Sequence, residues 1–235
     1  MPEAAAATKE AKKKDPNPDC TDPNKSCPPK EKKEEEDDFK VEKGQLTFDA
    51  EGTEGGKYHS RHAHWPGGSS GVTLGRGYDM GGRSAAQVKS DLIGAGVDPG
   101  IAEQYSGGAG LKGAKAGAWV KENGGGIPDI TPKQQKNLFG TTYAAEEAEV
   151  RRVSNKPDTV EKYGAVCFDK LDPKIRDSLV DLKYRGDYTP TTRKFLQEAA
   201  ANNDTEAFGA AMRDRSNWGS VPADRLNRRV NYWSN

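Results

Sequence analysis

Cysteine is scarce: Cys20, Cys27 and Cys167 are the only three in 235 residues. That is too few for a disulfide framework. Cys20 and Cys27 can pair in an oxidising compartment, but the bond would staple only a loop. Cys167, within Gly164-Ala165-Val166-Cys167-Phe168, is expected to be a small buried apolar residue. Long apolar runs are also missing. No stretch approaches transmembrane length, so no membrane insertion is expected. The first residues hold alanines and lysines without the apolar segment of a secretory signal. A target outside the cytoplasm would then be reached by another export route, or as part of a longer protein. Charge of one sign is not in excess, with 36 Lys and Arg against 36 Asp and Glu. That balance gives no support to nucleic-acid binding.

Apolar residues make up only 33% of the chain, which is low for a globular domain. The deficit is concentrated at the start. Residues 1–43 hold ten Lys and twelve Asp or Glu, including the run Lys30-Glu31-Lys32-Lys33-Glu34-Glu35-Glu36-Asp37-Asp38. Such a segment cannot bury enough apolar surface to offset its ordering entropy. It is read as a disordered arm or linker. Residues 44–235 remain as one domain, with 26 basic against 24 acidic side chains. Its last stretch is more basic: Arg213, Arg215, Arg225, Arg228 and Arg229 face only Asp214 and Asp224. A basic face there suits an acidic polymer, and a solvated helix face is the plainer alternative.

Local signals predict a mostly helical domain. A short helix begins near residue 45 and breaks at Gly52, Gly55 and Gly56. The Gly-rich stretch 57–81 has the turn chemistry of a hairpin, with Val72, Thr73 and Leu74 as its strand core. Ser84 caps a helix, and another follows Asp98-Pro99. Residues 106–117 form a loose turn or a short helix. Thr131-Pro132-Lys133-Gln134 opens a long helix with a capping box and proline at its first position. Asp172-Pro173 starts another, stopped by Gly186. Thr191 or Thr192 is expected to cap the next, Asn203 or Asp204 a short one, and Pro222 to start the last. The count is seven to nine helices with one hairpin. The fold class is α+β, mostly α, with a small β-hairpin lobe and a larger helical lobe around a cleft.

The candidate chemistry is concentrated in residues 48–81. Phe48-Asp49-Ala50-Glu51-Gly52 places a carboxylate in an apolar setting. Gly71-Val72-Thr73-Leu74-Gly75-Arg76-Gly77-Tyr78-Asp79-Met80-Gly81 places a second in a glycine-studded turn, with Thr73 between them. Two carboxylates kept in different environments are what glycosidic hydrolysis requires. Glu51 is the candidate general acid. Asp79 is either the base for an attacking water or a stabiliser of positive charge on the sugar, and an Asx-turn aspartate is its structural alternative. Thr73 is positioned to hold a water, with an ordinary strand threonine as the alternative. His59, His62 and His64 fall within six residues. Their spacing matches no zinc signature and no cysteine is near, so no metal or other cofactor is expected. They are read as cleft lining or loop packing. Tyr58, His64, Trp65, Arg76 and Tyr78 are the candidate substrate contacts.

These blocks, with His64-Trp65-Pro66-Gly67-Gly68, resemble the lysozyme-like domain of pesticin-type bacterial toxins. The same domain ends some type VI secretion effectors, and it is more distantly similar to the T-even phage lysozymes. The shared pattern is a helix-borne Glu-Gly, a hairpin with Thr-x-Gly-x-Gly, and a helical lobe. Leu171-Asp172-Pro173, the segment Tyr184–Pro190, Trp218 and the following arginines agree with it, so the resemblance covers about residues 44–235. T-even lysozymes carry an aspartate between the Glu and the Thr, where this chain has only Glu54. The pesticin-type pattern uses the aspartate six residues after the threonine, here Asp79. The resemblance implies a lysozyme-like fold and an N-acetylmuramidase. Such an enzyme cuts the β-1,4 bond between N-acetylmuramic acid and N-acetylglucosamine in peptidoglycan. It further implies an antibacterial toxin or effector, secreted or delivered to the periplasm of a target bacterium. A cognate immunity protein and a component of the secretion machinery are the expected partners. A phage endolysin and a glycan-binding module without catalysis are the alternatives.

Overall fold

The computed structural model describes residues 39–56 and 59–235. Tyr58, the two arm cysteines and nearly all of the charged arm lie outside the described residues. The chain opens with helix α1 (Gln45–Ala50), then a two-stranded antiparallel sheet of β1 (Thr73–Leu74) and β2 (Tyr78–Asp79). Helices α2 (Ala85–Gly94), α3 (Pro99–Ser106) and α4 (Ala114–Asn123) follow. The long α5 (Pro132–Ser154) leads into α6 (Pro157–Tyr163), α7 (Pro173–Arg185), α8 (Pro190–Ala201), α9 (Thr205–Arg213) and α10 (Ala223–Tyr232). The described residues are thus mostly helical with one small sheet. Among them, no helix is long and apolar enough to cross a membrane.

The start signals act as expected. Ser84 accepts from the Gln87 N–H, and Thr131 and Gln134 complete a capping box before Pro132. Asp98 and Asp172 cap helices whose first residue is proline. Gly186 ends α7. The cap of α8 differs from expectation: it is Thr189, in a reciprocal pair with Thr192. Pro190 supplies the first helical position, so the cap is the residue before it, two residues earlier than Thr191. The expected count of helices also falls short, because α6, started by Pro157, carries little apolar periodicity. Cys167 is exposed, not buried. Val166 and Phe168 turn inward on either side of it, and the alternation leaves the thiol outside.

Two hydrophobic cores result. One gathers Val72, Leu74, Tyr78 and Met80 of the hairpin region with Leu92, Tyr105 and Leu138. The other gathers Phe48, Phe139, Leu179, Leu196, Phe208 and Trp233 of the helical lobe. Helix α5 belongs to both, since Leu138 packs into the first core and its neighbour Phe139 into the second. Helix α1 is too short to persist alone. It is held by Phe48, fully buried and edge-on to Phe139 at 5.0 Å between ring centres.

The basic C-terminal stretch is divided by α10. Arg225, Leu226 and Arg229 are buried at i, i+1 and i+4, while Arg228 faces out. It is therefore not a uniformly solvated face.

Candidate functional site

Glu51 closes α1, its N–H donating to the Thr47 carbonyl at 2.9 Å. Its carboxylate accepts from the Arg225 guanidinium. Arg225 is the cavity-side end of an ion network centred on two fully buried residues. Its Nη1 lies 3.9 Å from Asp181 Oδ1, and Asp181 Oδ2 accepts from Arg229 Nε at 2.7 Å. Arg229 Nη1 donates to Asp187 at 2.7 Å, and Arg185 donates to both oxygens of Asp187 at 2.6 and 2.7 Å. Asp181 and Arg229 are fully buried, and Thr47 Oγ1 donates to Asp181 from α1 itself. Burial alone would raise the Asp187 carboxyl, but the bonds from Arg185 and Arg229 outweigh it and hold it below the usual range. Glu51, Arg185, Asp224 and Arg228 border a cavity of about 380 Å³.

The hairpin places Thr73 directly opposite Asp79. Their side chains share one face of the sheet, since cross-strand partners do. Thr73 is also paired on its other edge with His64, through main-chain bonds of 2.8 and 2.9 Å. Thr73 Oγ1 donates to the Gly71 carbonyl at 3.3 Å. Both Asp79 oxygens are engaged: Oδ1 accepts from the Gly81 N–H at 2.6 Å and Oδ2 from the Gly71 N–H at 3.0 Å. Gly71 is required for this contact, because a Cβ there would lie 2.3 Å from Asp79 Oδ1. Gly77, in the hairpin turn with φ 84°, lies against Tyr184, whose ring would be 2.5 Å from an added Cβ. Tyr184 Oη donates to the Arg76 carbonyl at 2.8 Å. Burial, then the charge of Glu51, pushes its phenol above the ordinary value. Tyr184 therefore packs against the hairpin turn.

A second cavity, of about 490 Å³, lies between the lobes. Asp79, Arg83 and Lys112 line it from the hairpin side, and Thr142, Glu146 and Tyr184 from α5 and α7. The structure brings Thr73 and Asp79 together, whereas Glu51 borders a different cavity that shares no lining residue with that of Asp79.

The expected substrate contacts divide. Trp65 is exposed and stacks over Gly117, with its indole N–H donating to the Ser70 carbonyl at 3.2 Å. His64 is half-buried. Its Nδ1 donates to the His62 carbonyl, and burial lowers its pKa and favours neutral imidazole. Arg76 turns under the hairpin instead. It donates to the Phe48 carbonyl and to Glu54 at 3.1 Å, with its guanidinium 4.0 Å from the Phe48 ring centre. Tyr78 is also inside, because it alternates with Asp79 along β2. Its hydroxyl donates to Asp91 at 2.7 Å, and burial followed by that bond pushes its pKa up. Glu54 is a clamp: Gln135, Arg61 and Arg76 all donate to it. Burial would raise its carboxyl, but these bonds and charges hold it below the ordinary value. His59 and His62 both turn to Asp129, at 3.5 and 2.8 Å. Among the described residues, no three His, Cys, Asp or Glu are grouped to hold a metal ion.

Asp181 and Asp187 are absent from the sequence-based candidates, and Arg225 and Arg229 enter them only as part of a basic face. Two signals for them were present. Asp181 interrupts the apolar run Leu179-Val180-Asp181-Leu182, and Arg225 and Arg229 stand at i and i+4 beside Leu226. A charge at a core-facing position implies a buried partner.

Residues 44–230 match the family described as Domain of unknown function (DUF8812). The chain belongs to this family. The DUF8812 match begins one residue before α1 and ends within α10, so it contains both Glu51 and Arg225. No curated protein matches the chain.

Proposed function

We propose that this DUF8812 domain has a lysozyme-like fold and is a peptidoglycan hydrolase, an N-acetylmuramidase with Glu51 as its general acid. The observation that carries the reading is the setting of Glu51. It stands at a helix end on a cavity and is gripped by Arg225, whose guanidinium lies 3.9 Å from Asp181 of the fully buried Asp181–Arg229 pair. A buried network with one arm at a surface carboxylate is an expensive way to stabilise a fold and a good way to orient a reacting group. The hairpin with Thr73 and Asp79, the interlobe cavity and the resemblance of residues 44–235 to pesticin-type domains support it further.

In this reading Glu51 is held by Arg225 at rest, and once released from that pair and protonated it delivers the proton to the glycosidic oxygen. Thr73 and Asp79 hold water on the far side of the sugar or stabilise its developing positive charge. Trp65 offers a flat face for a saccharide ring. The proposed role is that of an antibacterial toxin or effector acting in the periplasm of a target cell. Its proposed partners are an immunity protein and a component of the secretion machinery.

The test uses purified peptidoglycan and release of reducing ends. Glu51→Gln is isosteric but carries no proton to donate, and is expected to lower turnover by roughly 10²–10⁴-fold with an unchanged circular dichroism spectrum. Unimpaired turnover by this folded variant rules out the assignment. A glycan-binding module without catalysis is the second reading. It is favoured by the engagement of both Asp79 oxygens, each by one main-chain N–H group. Glycan binding by the wild-type chain with no reducing ends released would select it.

A further inference from the structure

The interlobe cavity carries a charge imbalance that the proposed chemistry does not use. Arg83 and Lys112 reach it from separate loops. Arg83 follows β2, stacks on the Tyr78 ring at 4.4 Å, and donates Nε to the Asp79 carbonyl at 3.1 Å. Lys112 lies between α3 and α4. It is fixed beside the hairpin by a main-chain bridge to Gly71 and by the Gly113 N–H donating to Ser70 at 2.9 Å. Neither cation has a carboxylate partner among the described residues. Of the acids at the same cavity, Glu146 is paired with Lys183 at 3.0 Å, while Asp79 keeps its charge and is held by two main-chain N–H groups, so the lining is left with one positive charge in excess.

Two unmatched cations at a partly enclosed recess form an anion site, since low-dielectric walls strengthen the attraction and charge-assisted bonds are the strong ones. The volume is within the usual range for small-ligand sites. We propose that Arg83 and Lys112 make the interlobe cavity a carboxylate subsite that selects glycan whose peptide substituents carry free carboxylates. The choice of glycan rests on the muramidase reading; the preference for a carboxylate rests on the two cations alone.

The test titrates two soluble probes into the full chain by calorimetry: a muramyl dipeptide with free carboxylates and its fully amidated counterpart. A charge-assisted bond lost on amidation is expected to weaken binding roughly tenfold or more. Lys112→Gln should erase the difference between the probes, and Lys112→Arg should preserve it. Lys112 is exposed, so the fold is expected to tolerate both changes. Equal affinity for the two probes, no binding of either, or an unchanged preference in Lys112→Gln overturns the subsite. On intact peptidoglycan the effect should lie in KM, with kcat retained. Turnover of free and amidated material with the same KM overturns the subsite and leaves the muramidase reading standing. A preserved carboxylate preference without hydrolysis of any peptidoglycan does the reverse.

Discussion

Asp181→Leu tests the buried network where its consequences are largest. Asp181 is fully buried, accepts from Arg229 Nε at 2.7 Å and from Thr47, and lies 3.9 Å from Arg225. Removing one member of a buried pair leaves a charge without compensation and costs about 3–5 kcal/mol. Arg229 keeps Asp187 at 2.7 Å, which favours the low end. At about 2–4 °C per kcal/mol for a domain of this size, a loss near 3 kcal/mol lowers Tm by about 6–12 °C. The assay is thermal unfolding followed by circular dichroism, with urea unfolding for the free energy. Replacing both partners by apolar residues of similar volume removes the stranded charge. Asp181→Leu combined with Arg229→Met should therefore lose less than the sum of the single changes. If Asp181→Leu falls within about 1 kcal/mol of wild type, or if the single effects add within about 0.5 kcal/mol, the network is not a coupled buried unit. Such a network could not orient Arg225 against Glu51.

Gly71→Ala should disturb Asp79 without touching its charge, because the new Cβ would lie 2.3 Å from Oδ1 and 2.4 Å from the Gly81 nitrogen. A stability loss of about 1–3 kcal/mol is expected with a loss of activity, checked by urea unfolding and reducing-end release. Acid should destabilise the domain in two steps. Asp187 and Glu54 have depressed folded pKa values, so their contribution is present above the ordinary carboxylate range and lost as pH falls through the lower folded values, below about pH 4. His64 is also depressed; as a base it favours folding above about pH 6.5 and loses that contribution as pH falls further. Urea midpoints between pH 3 and pH 8 check the order, and an Arg185→Gln variant should weaken the lower step.

Much of the local structure was legible because helix starts are written in short-range chemistry. Ser84, Asp98, Thr131 and Asp172 each signal a cap within three residues, and the structure uses all four. The hairpin was legible from Val72-Thr73-Leu74 followed by glycines. The facing of single residues was less so. Cys167, Tyr78 and Arg76 depend on which side of a short extended segment meets a core, and a two-residue strand gives too little alternation to decide that. The ion network was hidden for a different reason. Thr47, Asp181 and Arg229 are far apart in sequence, and each reads alone as an ordinary polar residue. Only tertiary packing unites them behind Glu51.

The membership of α5 in both cores has a thermodynamic consequence. Leu138 and Phe139 are consecutive residues of one continuous helix, so neither core can be dismantled while the other keeps its full set of contacts. Fraying α5 at one lobe exposes apolar surface at the next turn of the other. Two cores joined in this way should unfold in a single cooperative transition, with calorimetric and van't Hoff enthalpies in agreement. The protein is then two lobes in shape and one unit in free energy.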